Sequence, residues 1–90
     1  MKRNGVKLLH SEIIQSIWTE RLRQEWLKEQ GKFTHTCASK EISNEEKFII
    51  FAEEVGEVAR AVYEKDFSQI KKELIETLAV GFGWLESLDE

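Results

Sequence analysis

Hydrophobic residues recur at steps of three and four along most of the chain, with little of the strict alternation that marks a strand, and proline is absent. That pattern predicts an all-α protein. A first helix is expected from about Ser11 to Gln30, with Ser11 as its N-cap, a stripe of Ile13, Ile14, Ile17, Trp18 and Leu22, and Gly31 as its stop. Lys32 to Ile42 carries no stripe and reads as a loop. The second helix opens on Ser43-Asn44-Glu45-Glu46, a capping box in which hydroxyl and carboxylate satisfy backbone N–H groups left over at the first turn. Phe48, Phe51, Ala52, Val55, Val58, Ala59 and Val62 then fall within an arc of about 120°, an expected core stripe. Asp66-Phe67-Ser68-Gln69 supplies a cap for a third helix running to about Leu88.

Only a few residues around Asp66 join the second and third helices, which predicts an antiparallel helical hairpin plus an N-terminal helix. The third helix is apolar on two sides: Ile70, Leu74, Leu78, Leu85 and Leu88 on one, Val80 and Trp84 on the other. Three helices cannot easily cover both, so an oligomeric helical bundle is expected, with Val80 and Trp84 near a contact between subunits. Gly81 and Gly83, each costing about 1 kcal/mol of helix propensity, fit close helix packing. Ninety residues without a Pro/Gly-rich linker form one domain, 1–90. A chain this short buries only about 60–65% of its unfolded surface, a second reason to expect association.

Charge and composition narrow the function classes. The chain is 41% apolar and 33% charged, and no run approaches the ~20 apolar residues of a membrane span. Met1-Lys2-Arg3 is basic, but Val6, Leu8 and Leu9 are too few for a signal-peptide core. A single cysteine, Cys37, agrees with a reducing compartment, so a cytoplasmic protein is expected. The net charge of −4 disfavours nucleic acid, whose main attraction is for Lys and Arg.

The candidate chemistry lies in Glu53-Glu54-Val55-Gly56-Glu57 and Glu73-Leu74-Ile75-Glu76. Glu54 with Glu57, and Glu73 with Glu76, share helix faces, where like charges repel unless something positive stands between them. At 1.5 Å per residue, Glu57 lies roughly 13 Å before the hairpin turn, Glu73 about 10 Å and Glu76 about 15 Å after it. The three stand at nearly one level, with Glu54 a turn away. Ile50 and Ala61 lie on the same side, so the carboxylates are expected in partly apolar surroundings. Glutamate is a good helix former, and one such pair is commonly a solvated face; two pairs at matching heights favour a cation site. Hard oxygen ligands suit Mg2+ or Mn2+ rather than zinc. His10, His35 and Cys37 lack the spacing of a soft-metal site, and neither a Ser-His-Asp arrangement nor a glycine-rich phosphate loop is identified. His35 and Lys40 are loop candidates for contacting a substrate, and Trp26 is a candidate for base stacking or for packing.

The run Phe51-Ala52-Glu53-Glu54-Val55-Gly56-Glu57-Val58-Ala59-Arg60-Ala61, followed by Lys72-Glu73-Leu74-Ile75-Glu76, resembles the MazG-like branch of the all-α nucleoside triphosphate pyrophosphohydrolases, especially its short phage-type members. The likeness extends upstream to Glu20-Arg21-x-Arg23-Gln24 and downstream to Ala79 through Leu88, about three quarters of the chain. It implies a helical homodimer or dimer of dimers that cleaves nucleoside triphosphates to monophosphate and pyrophosphate with Mg2+. By position it makes Glu54, Glu57, Glu73 and Glu76 the metal ligands, gives Glu53 a supporting or water-orienting role, and sets Trp26 and Gln30 in the nucleotide site. Glu76 departs from the family's aspartate by one methylene, which raises a same-fold alternative that binds nucleotide but turns over poorly. A different class remains open: a helical interaction module whose acidic face takes a basic partner without metal.

Overall fold

The computed structural model describes residues 3–89, with side-chain surroundings from residue 10 onward. Three helices are present: α1 (Arg3–Glu29), α2 (Asn44–Tyr63) and α3 (Phe67–Leu88), with no strand among the described residues. The all-α expectation holds. α1 begins at Arg3 rather than at Ser11, which lies exposed inside the helix. Serine is favoured at a cap but costs little in a helix interior, so it marks a boundary only when the preceding residues cannot extend the turn.

The remaining boundaries follow local chemistry. Gly31, at φ 79, ends α1 with two bonds, Gly31 N–H to the Lys28 carbonyl at 3.0 Å and Lys32 N–H to the Leu27 carbonyl at 2.9 Å. This is a Schellman closure, in which a left-handed residue lets the chain satisfy the last carbonyls. Ser43 accepts from Glu46 N–H at 3.1 Å while Glu46 accepts from Ser43 N–H at 2.9 Å, the capping box of α2. α2 closes like α1, through Lys65 N–H to Val62 and Asp66 N–H to Ala61, but its left-handed residue is Lys65 at φ 57. Asp66 then caps α3 by accepting from Gln69 N–H at 3.2 Å. Three residues therefore join α2 to α3, too few for anything but an antiparallel pair.

α3 is the central helix: it packs on both α1 and α2, which do not approach each other closely. A buried guanidinium ties this arrangement together. Arg21 on α1 lies 2.6 Å from Glu86 on α3 and 2.7 Å from Glu25, and Glu25 accepts from the Thr36 hydroxyl at 2.7 Å. Burial alone would push the Glu25 carboxyl up, but Thr36 and Arg21 outweigh it and hold the group below its ordinary value. Gly83 makes room for the clamp, because a Cβ there would lie 3.1 Å from Arg21 Nε. Gly81 plays the same part under Phe51, at 3.2 Å. The close packing expected of these glycines is thus present within the protomer.

The core departs from expectation. Buried side chains are chiefly polar, Arg21, Gln24, Thr36, Ser39, Lys47 and Thr77, and the buried apolar ones are small: Cys37, Ala61 and Ala79. The stripe expected to form the core on α2 lies largely outside: Phe48 is 61% exposed, Ala52, Val55, Ala59 and Val62 are exposed, and only Phe51 and Val58 are half-buried. On α3, Leu74, Leu78, Leu85 and Leu88 are exposed as well. Helical periodicity identifies residues that share a face but not what covers that face. Val80 and Trp84, expected near a contact between subunits, are half-buried and have partners within the protomer. Val80 lines a cavity inside the protomer, and Trp84 packs near Phe48 and Phe51 while donating to Asn44 Oδ1 at 3.0 Å. Among the described residues, no helix is long and apolar enough to cross a membrane.

Candidate metal centre

The hairpin brings Glu54 and Glu57 of α2 against Glu73 and Glu76 of α3. One carboxylate oxygen from each lies within 4.8 Å of the other three. The spacing within each helix sets two carboxylates on one face, and the short turn sets the two faces at one height. Glu57 is exposed, whereas Glu54, Glu73 and Glu76 are half-buried; Ala61, which is buried, and the half-buried Ile50 supply the apolar surroundings.

Electrostatically the group is incomplete. Among the described residues no Lys or Arg pairs with Glu54, Glu57 or Glu73, and Glu76 has only Arg23 at 3.8 Å and Lys72 at 3.9 Å. One oxygen of Glu54 and one of Glu73 are buried without a hydrogen-bond partner. The Glu54 carboxyl is pushed up to about 7, first by burial and then by the charges of Glu57, Glu76 and Glu73. Glu57 is also raised, chiefly by the neighbouring Glu73 carboxyl. Four converging carboxylates with orphaned oxygens fit a hard divalent cation, and all the donors are the oxygen type that Mg2+ and Mn2+ prefer.

A fifth carboxylate stands beside the group. Glu20 on α1, its side chain 11% exposed, accepts two bonds from Arg23 at 2.8 Å and one from Gln24 at 3.3 Å, and its charge adds to the upward push on Glu54. The same hydrogen-bonded pair raises the Arg23 guanidinium above its ordinary value. Glu20, Arg23 and Glu76 line two neighbouring cavities. One, about 470 Å3, also contains Glu54 with Gln24, Phe33, His35 and Val80. The other, about 530 Å3, contains Lys71 and Lys72.

The remaining sequence candidates fall elsewhere. Glu53 is exposed and outside the four-carboxylate group. Trp26 is 55% exposed, Gln30 is exposed just beyond α1, Lys40 is exposed in the loop, and none of the three lines either cavity. His35 and Cys37 line the smaller cavity but belong to no ligand cluster, His10 is exposed on α1, and Arg60 pairs with Glu64 at 3.4 Å. Sequence reasoning gave no role to Glu20, Arg23, Gln24 or Phe33. The first three belonged to the upstream part of the resemblance, but only the packing of α1 on α3 brings them to the carboxylates.

Compared with known proteins, the chain matches no family model, no curated protein and no solved structure. The family likeness therefore rests on the quoted motif residues.

Proposed function

We propose that this chain is a nucleoside triphosphate pyrophosphohydrolase of the MazG-like kind, dependent on Mg2+ or Mn2+ and working as a homodimer or dimer of dimers. The observation that carries the reading is the cluster of Glu54, Glu57, Glu73 and Glu76, with two buried, unpartnered oxygens, of which Glu54 and Glu76 line a cavity large enough for a nucleoside. Those four glutamates would hold the cation, which supplies neutralisation of the triphosphate and activation of water when bound. The protein's own groups supply the rest. Phe33 offers an aromatic surface for a base, and the Gln24 amide and His35 ring offer hydrogen-bonding groups in the same cavity. Glu53, exposed and outside the cluster, is better suited to balancing charge than to meeting the reacting atoms. A free, buried Cys37 agrees with a reducing, cytoplasmic setting.

Product analysis tests this reading. With Mg2+ and a panel of canonical and damaged nucleoside triphosphates, at least one substrate should yield nucleoside monophosphate and pyrophosphate in equal amounts. Glu57→Gln and Glu73→Gln should each reduce release to background while keeping the helical circular dichroism. Undiminished release in both variants would remove the metal assignment, and orthophosphate as the product would remove the reaction class.

A further inference from the structure

We infer that the cavity lined by Arg23, Lys71 and Lys72 is a phosphate subsite that receives the pyrophosphate portion of a nucleoside triphosphate, with Glu20 holding the Arg23 guanidinium in position. The inference rests on the metal reading above, since it concerns the side of the carboxylate cluster on which the phosphate tail lies.

Three observations carry it. First, the cavity has three cationic side chains, yet its wall includes Glu76, one of the four clustered carboxylates. A tail bound there lies directly beside the cluster. Secondly, Arg23 and Lys72 reach Glu76 only at 3.8 and 3.9 Å, the outer range of an ion pair, and Lys71 pairs with no carboxylate among the described residues. Loose pairs of this kind exchange readily for a better anion. A divalent cation held by Glu76 would compete with Arg23 and Lys72 for its carboxylate and leave both cations for phosphate oxygens. Thirdly, Arg23 is tightly held on one edge only. Nε and Nη2 donate to Glu20 at 2.8 Å each, leaving Nη1 without a partner among the described residues. A guanidinium fixed by one carboxylate and open along another edge is prepared for a phosphate, where planar donors bind most strongly. The neighbouring cavity, with Phe33, Gln24 and His35, is then left for the nucleoside.

The test uses Mn2+ and inorganic pyrophosphate as probes, measured by isothermal titration on the full chain. Arg23→Ala should bind Mn2+ alone at least as tightly as wild type, because a cation competing for Glu76 has gone. Its Mn2+-dependent affinity for pyrophosphate should fall about tenfold, the order expected for losing a charged hydrogen bond. Lys71→Ala, which breaks no ion pair and should fold normally, should leave Mn2+ binding unchanged and weaken pyrophosphate in the same direction. Wild-type pyrophosphate affinity in both variants, with Mn2+ still bound, would overturn the subsite while leaving the metal centre intact. Failure of the wild-type chain to bind Mn2+ would instead overturn the metal reading, and this inference with it.

Discussion

Glu76 takes part in several arrangements at once: it belongs to the carboxylate cluster, lines both cavities and meets Arg23 and Lys72. Shortening it to aspartate keeps the charge and approaches the residue expected from the family resemblance, so Glu76→Asp should retain or raise pyrophosphate release. Glu76→Ala leaves a coordination gap and should cost at least on the order of a hundredfold; equal rates in all three proteins would make Glu76 a surface residue. A second residue-scale expectation follows from Glu54, raised from 4.5 to about 7, and Glu57, raised in the same direction. Between these values the folded, metal-free protein holds more protons than the unfolded chain. Its stability is therefore greatest below about pH 4.5 as far as these groups are concerned, and falls as pH rises through about 7. Thermal unfolding of metal-free protein should show a lower Tm at pH 8 than at pH 5.5, and millimolar Mg2+ should recover part of the difference at pH 8 only. A Tm that rises across this window would contradict the crowded-carboxylate account. The convergence of the four carboxylates was legible in the sequence because helix rise and a short turn determine their heights from local information. Glu20 and Arg23 were not, because their place depends on how α1 packs against a helix some fifty residues away.

At the scale of elements, the caps at Ser43 and Asp66 and the Gly31 stop were legible because each is a local hydrogen-bonding pattern with its own residue signature. The start of α1 was not, since no strong breaker precedes Ser11 and a serine alone cannot stop a helix. The α2–α3 turn places Lys65 in a left-handed conformation, φ 57, that penalises a side chain with a Cβ. Lys65→Gly should therefore stabilise the hairpin by about 1 kcal/mol and raise Tm by roughly 4–8 °C, with no effect on pyrophosphate release. A lower Tm would mean that the lysine side chain contributes more than the backbone penalty. Gly83→Ala points the other way. The added methyl would meet Arg21 Nε at 3.1 Å, where Glu25 and Glu86 hold the guanidinium, so overpacking should outweigh the gain in helix propensity.

The whole molecule is unlike a self-sufficient domain: among the described residues its interior holds mostly polar and small side chains, and many large apolar ones stand exposed beside the charged surface. Its surface, 6866 Å2, exceeds by roughly 1,400 Å2 the value of about 5,400 Å2 for a folded monomer of this mass. Phe48, Val55 and Val62 on α2 and Leu74, Leu78 and Leu85 on α3 are among the exposed large apolar side chains. The hydrophobic pattern identified which residues share these faces; that they lie outside the protomer's own packing was not legible, because periodicity does not say what a face packs against. We expect a second copy to cover them, so wild-type protein should sediment as a dimer or larger at micromolar concentration, and Leu78→Glu should shift it toward a less stable monomer. A compact, stable wild-type monomer would contradict this. The central claim is that four glutamates on one hairpin hold a divalent cation, and the most direct measurement is calorimetric titration of Mn2+ into metal-free protein at pH 8, wild type against the Glu57→Gln, Glu73→Gln double variant. Saturable binding in the wild type that the double variant loses, with its helical content unchanged, is the expected result; no binding in the wild type, or equal binding in both proteins, would contradict it.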